Sequence, residues 1–259
     1  MLIYNDTVEF SFEEKGHKYI VSRKVDDQWT IPTPVVGTTT VCGIINKPAL
    51  MLWPMNEALK YLRGLGEISL DEPMLREAAN AHKLKSQYGK DAGHVGHSTI
   101  EALLLGKEPE KPPKELVDAY NSIKDAFEKY QEDFKPDIIK SEEPFFSLTH
   151  NFAGKIDDLS TINDKLILTD YKTSSSSFYN PEGIYKENFA QLGGYLVGVE
   201  EMTGLEIDDA QIVNLPKDGS GYKVKSLTDL GLTTTDAKLY FLNCLGLYNM
   251  DGLFGSRLK

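Results

Sequence analysis

The stretch KLILTDYKT, residues 165–173, constrains this chain more than any other. In an extended strand successive side chains alternate between faces, so Leu166, Leu168, Asp170 and Lys172 share one face and Ile167, Thr169 and Tyr171 the other. Both faces begin apolar, which predicts a strand buried on both sides. One buried face therefore ends in an acid and an amine two residues apart, a costly arrangement unless the charges are paired or hold a cation. Asp157, in AGKIDDL, lies one strand, a tight turn at Asn163-Asp164 and a returning strand upstream. Two carboxylates and a lysine are thus expected to converge at one end of a sheet.

Such a group suits one kind of chemistry. Hard cations such as Mg²⁺ take oxygen ligands and keep several waters, so two aspartates, a backbone carbonyl and a phosphate oxygen suffice. The cation lowers the pKa of water and absorbs charge developing on phosphate, and Lys172 can orient or help deprotonate the attacking water. Acid-x-Lys alone does not single out the site, because Glu13/Lys15, Asp133/Lys135 and Asp236/Lys238 also match it. Only Asp170/Lys172 ends a buried strand and follows a second acid at hairpin distance.

Composition narrows the setting. The 259 residues, 41% hydrophobic, can bury one large core or two modest ones. No run reaches the roughly 18 uncharged apolar residues of a membrane helix, and MLIYNDTVEFSFEE lacks the order of a secretion signal. Cys42 and Cys244 are far apart without CxxC spacing, against a disulfide scaffold or a cysteine-held metal, and this suggests a reducing cytoplasm. The net charge of -11 repels a polyanion at long range, so contact with nucleic acid must rest on a local basic patch and bound cations.

Along the chain, residues 1–45 alternate apolar and polar positions and read as short strands, with TTTVC at 38–42 among them. From Ala49, Leu50, Trp53, Ala58, Leu59 and Leu62 recur at helical spacing, with Pro54 expected near the first turn and an end at Gly64 or Gly66. A helical stretch over 72–105, interrupted near Gly89 or Gly93, holds the most basic window, with Lys83, Lys85 and Lys90. After EKPPKE, Leu116, Tyr120, Ile123, Phe127 and Tyr130 keep one apolar helix face. Strands are predicted over 137–173, then a polar SSSS loop, a helix over Tyr185 to Gly204, strands at AQIVNL and GYKVKSL, and a terminal helix over Asp236 to Met250 capped by Thr234 or Thr235. The order points to an α/β domain with one central sheet.

G-x-x-D at 154–157, D-Y-K-T at 170–173 and Q-x-x-x-Y at 191–195 resemble the signature of RecB-type nucleases in the PD-(D/E)XK superfamily, in matching order. GHVGHSTIEALLLG, 93–106, resembles that family's upstream histidine motif with His97 at the matching position, and TTTVCGIINKPALMLWPMNEALKYL resembles the start of standalone phage exonucleases. The chain departs from relatives that carry a four-cysteine iron-sulfur cluster or a fused helicase, having neither the cysteines nor a phosphate-binding loop.

The resemblance implies a restriction-endonuclease-like α/β core with a central mixed sheet flanked by helices: a single nuclease domain over 1–259, with a β elaboration at 1–45, a helical region at 46–135 and the catalytic sheet at 136–259. It implies a Mg²⁺- or Mn²⁺-dependent deoxyribonuclease cutting from DNA ends in phage replication or recombination, in the host cytoplasm, alone or beside a separate recombination or single-strand-binding protein. Asp157, Asp170 and the Tyr171 carbonyl would bind the metal and His97 would supplement it. Gln191 would steady Lys172 or the DNA, with Tyr195 packed beside it.

The same residues serve a structure-specific endonuclease equally well, and a non-catalytic DNA-binding or assembly subunit could keep the fold. Gly93, His97 and Glu101 share a helix face, where a glycine would let another backbone come close. Glu101, Glu142 and Glu143 are further candidate acids; His94 is a weaker candidate ligand, and Trp29 and Trp53 read as core before base-stacking platforms. Lys83, Lys85 and Lys90 are candidate DNA contacts, or else a solvated helix face.

Overall fold

The computed structural model describes the chain apart from residues 46–47, 66–70, 175–182 and 258–259 and the side chains of 48–51 and 257. Strands β1 (Leu2–Ile3), β2 (Val8–Glu13), β3 (Lys18–Val25), β4 (Gln28–Trp29) and β5 (Thr33–Gly37) lead into helices α1 (Thr38–Cys42), α2 (Pro48–Gly64), α3 (Glu72–Leu104) and α4 (Val117–Phe134). There follow β6 (Asp137–Ser141), β7 (Pro144–Ser147), β8 (Phe152–Lys155), β9 (Asp158–Ile162) and β10 (Lys165–Lys172). Helix α5 (Lys186–Thr203), β11 (Asp209–Asn214), β12 (Lys223–Ser226) and α6 (Thr234–Arg257) complete the order.

Two mixed sheets result. One runs β12-β11-β10-β9-β6, with β10 and β11 parallel; the other runs β1-β2-β3-β5-β8-β7, with β4 on β3 and β5 parallel to β8. The expected buried strand is β10. Leu168 lies in the core shared with α5 and α6, while Tyr171 lies among Ile123, Phe127 and Tyr130 of α4 on the opposite side. The hairpin that feeds it turns at Asn163-Asp164, both at positive φ (51° and 62°), which matches the right-handed twist of the paired strands.

The sheets are joined by one bent hairpin. Ser141 pairs with Asp158 in the five-stranded sheet and Pro144 with Lys155 in the other, leaving Glu142-Glu143 opposite Ile156-Asp157 at the bend. Two hydrogen bonds hold the corner, Glu142 N–H to the Asp157 carbonyl (3.1 Å) and Ile156 N–H to the Glu143 carbonyl (3.0 Å). Strands that switch sheets in this way form the corner of a packed pair.

Several expectations are corrected. TTTVC is helix α1, not strand: Gly37 is extended at its start, the Thr38 hydroxyl donates to the Ala153 carbonyl (2.9 Å), and Val41 and Cys42 enter the core, so burial overrides the β-preference of threonine. Helix α2 already begins at Pro48, which puts Pro54 inside it rather than in its first turn; the helix ends at Gly64, and Gly66 lies outside the described residues. Helix α3 is unbroken through Gly89 and Gly93, since isolated glycines weaken a helix without ending it. Its N-cap is Asp71, whose carboxylate accepts from the Met74 N–H (2.9 Å). The cap of α6 is Thr233 rather than Thr234 or Thr235: its hydroxyl accepts from the Asp236 N–H (3.2 Å), and its N–H donates to the Asp236 carboxylate (2.8 Å). The serine tract beyond Ser174 lies outside the described residues.

Candidate active site

Where β10 ends, the bend of the hairpin, α3, α5 and α1 meet around a cleft of about 1070 Å³. Asp157 sits at the bend between β8 and β9, half-buried, and accepts the Tyr171 N–H (2.8 Å). Asp170 is 1% exposed. Lys172 Nζ lies 2.5 Å from Asp170 Oδ2, an ion pair without good hydrogen-bond alignment, since that oxygen has no aligned donor. Lys172 also donates to Gln191 Oε1 (3.1 Å), and Gln191 Nε2 donates to the Tyr195 hydroxyl (2.5 Å) and, more weakly, to Thr39 Oγ1 (3.4 Å). The four-residue spacing of Gln191 and Tyr195 on α5 thus makes one relay that fixes the ammonium.

Electrostatics mark the same group. Burial pushes Asp170 up to about 6, with Lys172 opposing and the Asp157 charge adding. Burial also raises Asp157, opposed by Lys172 and the Tyr171 N–H. Two carboxylates that resist ionising together are prepared for a cation. His97 lines the same cleft and is exposed to it; the crowding of the cleft walls, which hinders hydration of a charged ring, and then the Lys172 charge hold its imidazole down to about 4, while Asp170 pulls the other way. A neutral imidazole is the form that binds metal.

The donor set fits an Mg²⁺ or Mn²⁺ ion: two carboxylates, of which Asp170 is buried with only the Lys172 ammonium against its Oδ2, and an imidazole lining the same cleft. No three His, Cys, Asp or Glu side chains among the described residues form a ready cage, so waters or the Tyr171 carbonyl must complete the shell.

Glu101, Glu142 and His94 line the cleft. Glu143 instead pairs with Lys140 (3.0 Å) and lies outside the lining. The close approach on α3 is at Gly96, not Gly93: a Cβ at Gly96 would lie 2.8 Å from Ile123 and 2.9 Å from Thr173, whereas at Gly93 the nearest atom would be 3.6 Å away. Lys83, Lys85 and Lys90 do not line the cleft, and Lys85 is committed to Glu57 (3.1 Å). Trp29 is exposed on β4, and Trp53 packs edge-on against His82.

Sequence reasoning missed Lys155, Lys217, Thr39 and the wall formed by Gly16–Tyr19 and Pro34–Thr40. A signal existed for Lys155 alone, since strand alternation puts it on the face of Asp157.

Residues 74–238, well over half of the chain, match the family model of the PD-(D/E)XK nuclease superfamily. The match begins in α3 and ends in α6, and so contains all of the proposed acid, lysine, histidine and glutamine positions. No curated protein is similar enough to the chain to count as a match.

Proposed function

Because the chain belongs to the PD-(D/E)XK nuclease superfamily, whose nucleases generally use divalent metals such as Mg²⁺ or Mn²⁺, we propose that it is a metal-dependent deoxyribonuclease that removes nucleotides from DNA ends. The observation that carries this is the convergence of Asp157, Asp170 and Lys172 at one strand end, with Lys172 fixed from behind by Gln191. Asp157, Asp170 and the Tyr171 carbonyl would hold the metal, and His97 would supplement it. When bound, the cation offsets charge on the scissile phosphate and eases ionisation of water. Asp170 and Gln191 together keep the Lys172 ammonium at the floor of the cleft, where it donates a hydrogen bond that orients the attacking water. Tyr195 and Thr39 fix the Gln191 amide and so act through it.

Action on ends is supported by the motif resemblance to standalone phage exonucleases and by the N-terminal wall along one side of the cleft, which suits a strand end better than a duplex lying across it. A role in phage replication or recombination rests on that resemblance. No helix among the described residues is long and apolar enough to cross a membrane.

The test is digestion of end-labelled linear and covalently closed circular DNA with Mg²⁺ or Mn²⁺. Loss of linear DNA alone is expected. Cleavage of the circle would make the protein an endonuclease, and metal-dependent retention of DNA without cleavage would make it a binding subunit.

A further inference from the structure

Beside Asp157 the cleft contains a second charged group that the reaction above does not use. Lys155 Nζ is in contact with Glu142 Oε2, lies 4.0 Å from Glu101 Oε1, and stands 5.6 Å from the centre of the Phe12 ring. The Lys155 and Glu142 side chains are only 18% and 16% exposed. Glu142 holds a left-handed backbone, φ 55°, a conformation that a glutamate rarely adopts, and its N–H is bound to the Asp157 carbonyl. The corner between the sheets therefore aims Glu142 and Asp157 into the same space, and α3 brings Glu101 to it.

Three carboxylates, those of Glu142, Glu101 and Asp157, thus border the cleft around one ammonium, and such a cluster of oxygen ligands is what a hard cation would otherwise occupy.

We propose that the Lys155 ammonium occupies the place of a second cation beside Asp157, so that this nuclease binds one divalent ion where two-metal nucleases bind two. The inference rests on the metal-site reading given above. In two-metal sites the ions lie about 3.5–4 Å apart and share the charge on the attacking and leaving oxygens. Here Asp157 would serve the divalent ion, while Glu142 and Glu101, the acids suited to hold a second one, already share the ammonium of a tethered lysine. A point charge on a tethered stem offsets charge without needing a coordination shell. Phe12, supplied by the N-terminal sheet, closes the nest on one side.

Binding of Mn²⁺ alone at pH 8, followed by electron paramagnetic resonance and calorimetry, tests this in the wild type, Lys155→Met and Lys155→Arg. Expected are about one equivalent in the wild type, about two in Lys155→Met and about one in Lys155→Arg. Two equivalents in the wild type, or one in a folded Lys155→Met, overturn the proposal while leaving the metal site itself intact. A wild type that binds none overturns the metal-site reading and this inference with it. If Lys155→Met does not fold, the Mn²⁺ dependence of wild-type cleavage decides: a Hill coefficient near 1 supports the proposal and one near 2 defeats it.

Discussion

Asp157 and Asp158 are neighbours that face opposite sides of one sheet, and only the first was singled out from the sequence. Asp158 is fully buried; its Oδ2 accepts from Tyr171 (3.2 Å) and Ser160 (3.3 Å), and its Oδ1 has no hydrogen-bond partner. Burial pushes this acid up to about 7 from an ordinary 3.8. In the folded protein it keeps its proton to near neutrality, whereas the unfolded chain releases it near pH 4. Its contribution to stability is therefore complete below about pH 3.8, declines as pH rises and is lost above about 7. Asp158→Asn should flatten that decline, raising stability at pH 8 by on the order of 1–3 kcal/mol and leaving it unchanged at pH 4, as read by thermal melts. An equal shift at both pH values would show that the carboxyl is ionised throughout. On the other face, Asp157→Asn and Asp170→Asn should each abolish cleavage without lowering the melting temperature, because each removes a carboxylate that burial already disfavours. Lys172→Ala should slow single-turnover cleavage by about 10² to 10⁴ while DNA binding persists. Asp157, Asp170 and Lys172 were legible because strand alternation and a two-residue turn are local rules. The pairing of Lys155 with Glu142 was not, because it depends on where a hairpin bends and on a glutamate in a left-handed conformation.

Helices were found where apolar spacing is regular and misjudged where residue preference conflicts with burial. The α4 face of Ile123, Phe127 and Tyr130 is the one the spacing predicts, and these residues cover Tyr171. TTTVC, read locally, is strand; its neighbours in space make it a helix whose Thr39 reaches Gln191. The basic window on α3 shows the same conflict. Lys85 is half of a clasp between α2 and α3, bonded through both oxygens of Glu57, which also binds Lys60 (3.0 Å). Glu57 is 9% exposed, so removing its partner leaves an acid poorly placed to recover water. Lys85→Ser should therefore lower the melting temperature and speed hydrogen exchange in α2, whereas Lys83→Ser and Lys90→Ser, both on the exposed face, should do neither. Equal effects from all three would place the stabilising charge elsewhere.

The whole molecule carries a net charge of -11, so its hold on DNA must come from few places. Among the described residues, the lysines in and beside the cleft are Lys18, Lys155, Lys172 and Lys217, and Lys155 and Lys172 are engaged by acids. Affinity should accordingly fall with salt along a shallow line, and replacing Lys18 and Lys217 with Ser should flatten it by about 2 units, at roughly 0.9 per phosphate contact. An unchanged slope would put the DNA track on the α3 lysines or another face. The broad class of this architecture, mixed sheet between helices, was legible from the order of patterns. The division into two sheets was not, because it follows from the bend at Glu142-Glu143 and Ile156-Asp157, and the second sheet is then completed by a parallel pairing of Val36 and Gly37 with Phe152 and Ala153, more than a hundred residues away. That pairing also bears on how the chain can be shortened. A fragment cut to the family-matched residues 74–238 would lose β5, and β8 would present unpaired main-chain donors and acceptors beside the newly uncovered Phe146. A bare, apolar strand edge recruits other strands, so such a fragment should self-associate and leave a gel-filtration column in the void. The first 37 residues thus act as a guard against aggregation as much as a wall of the cleft.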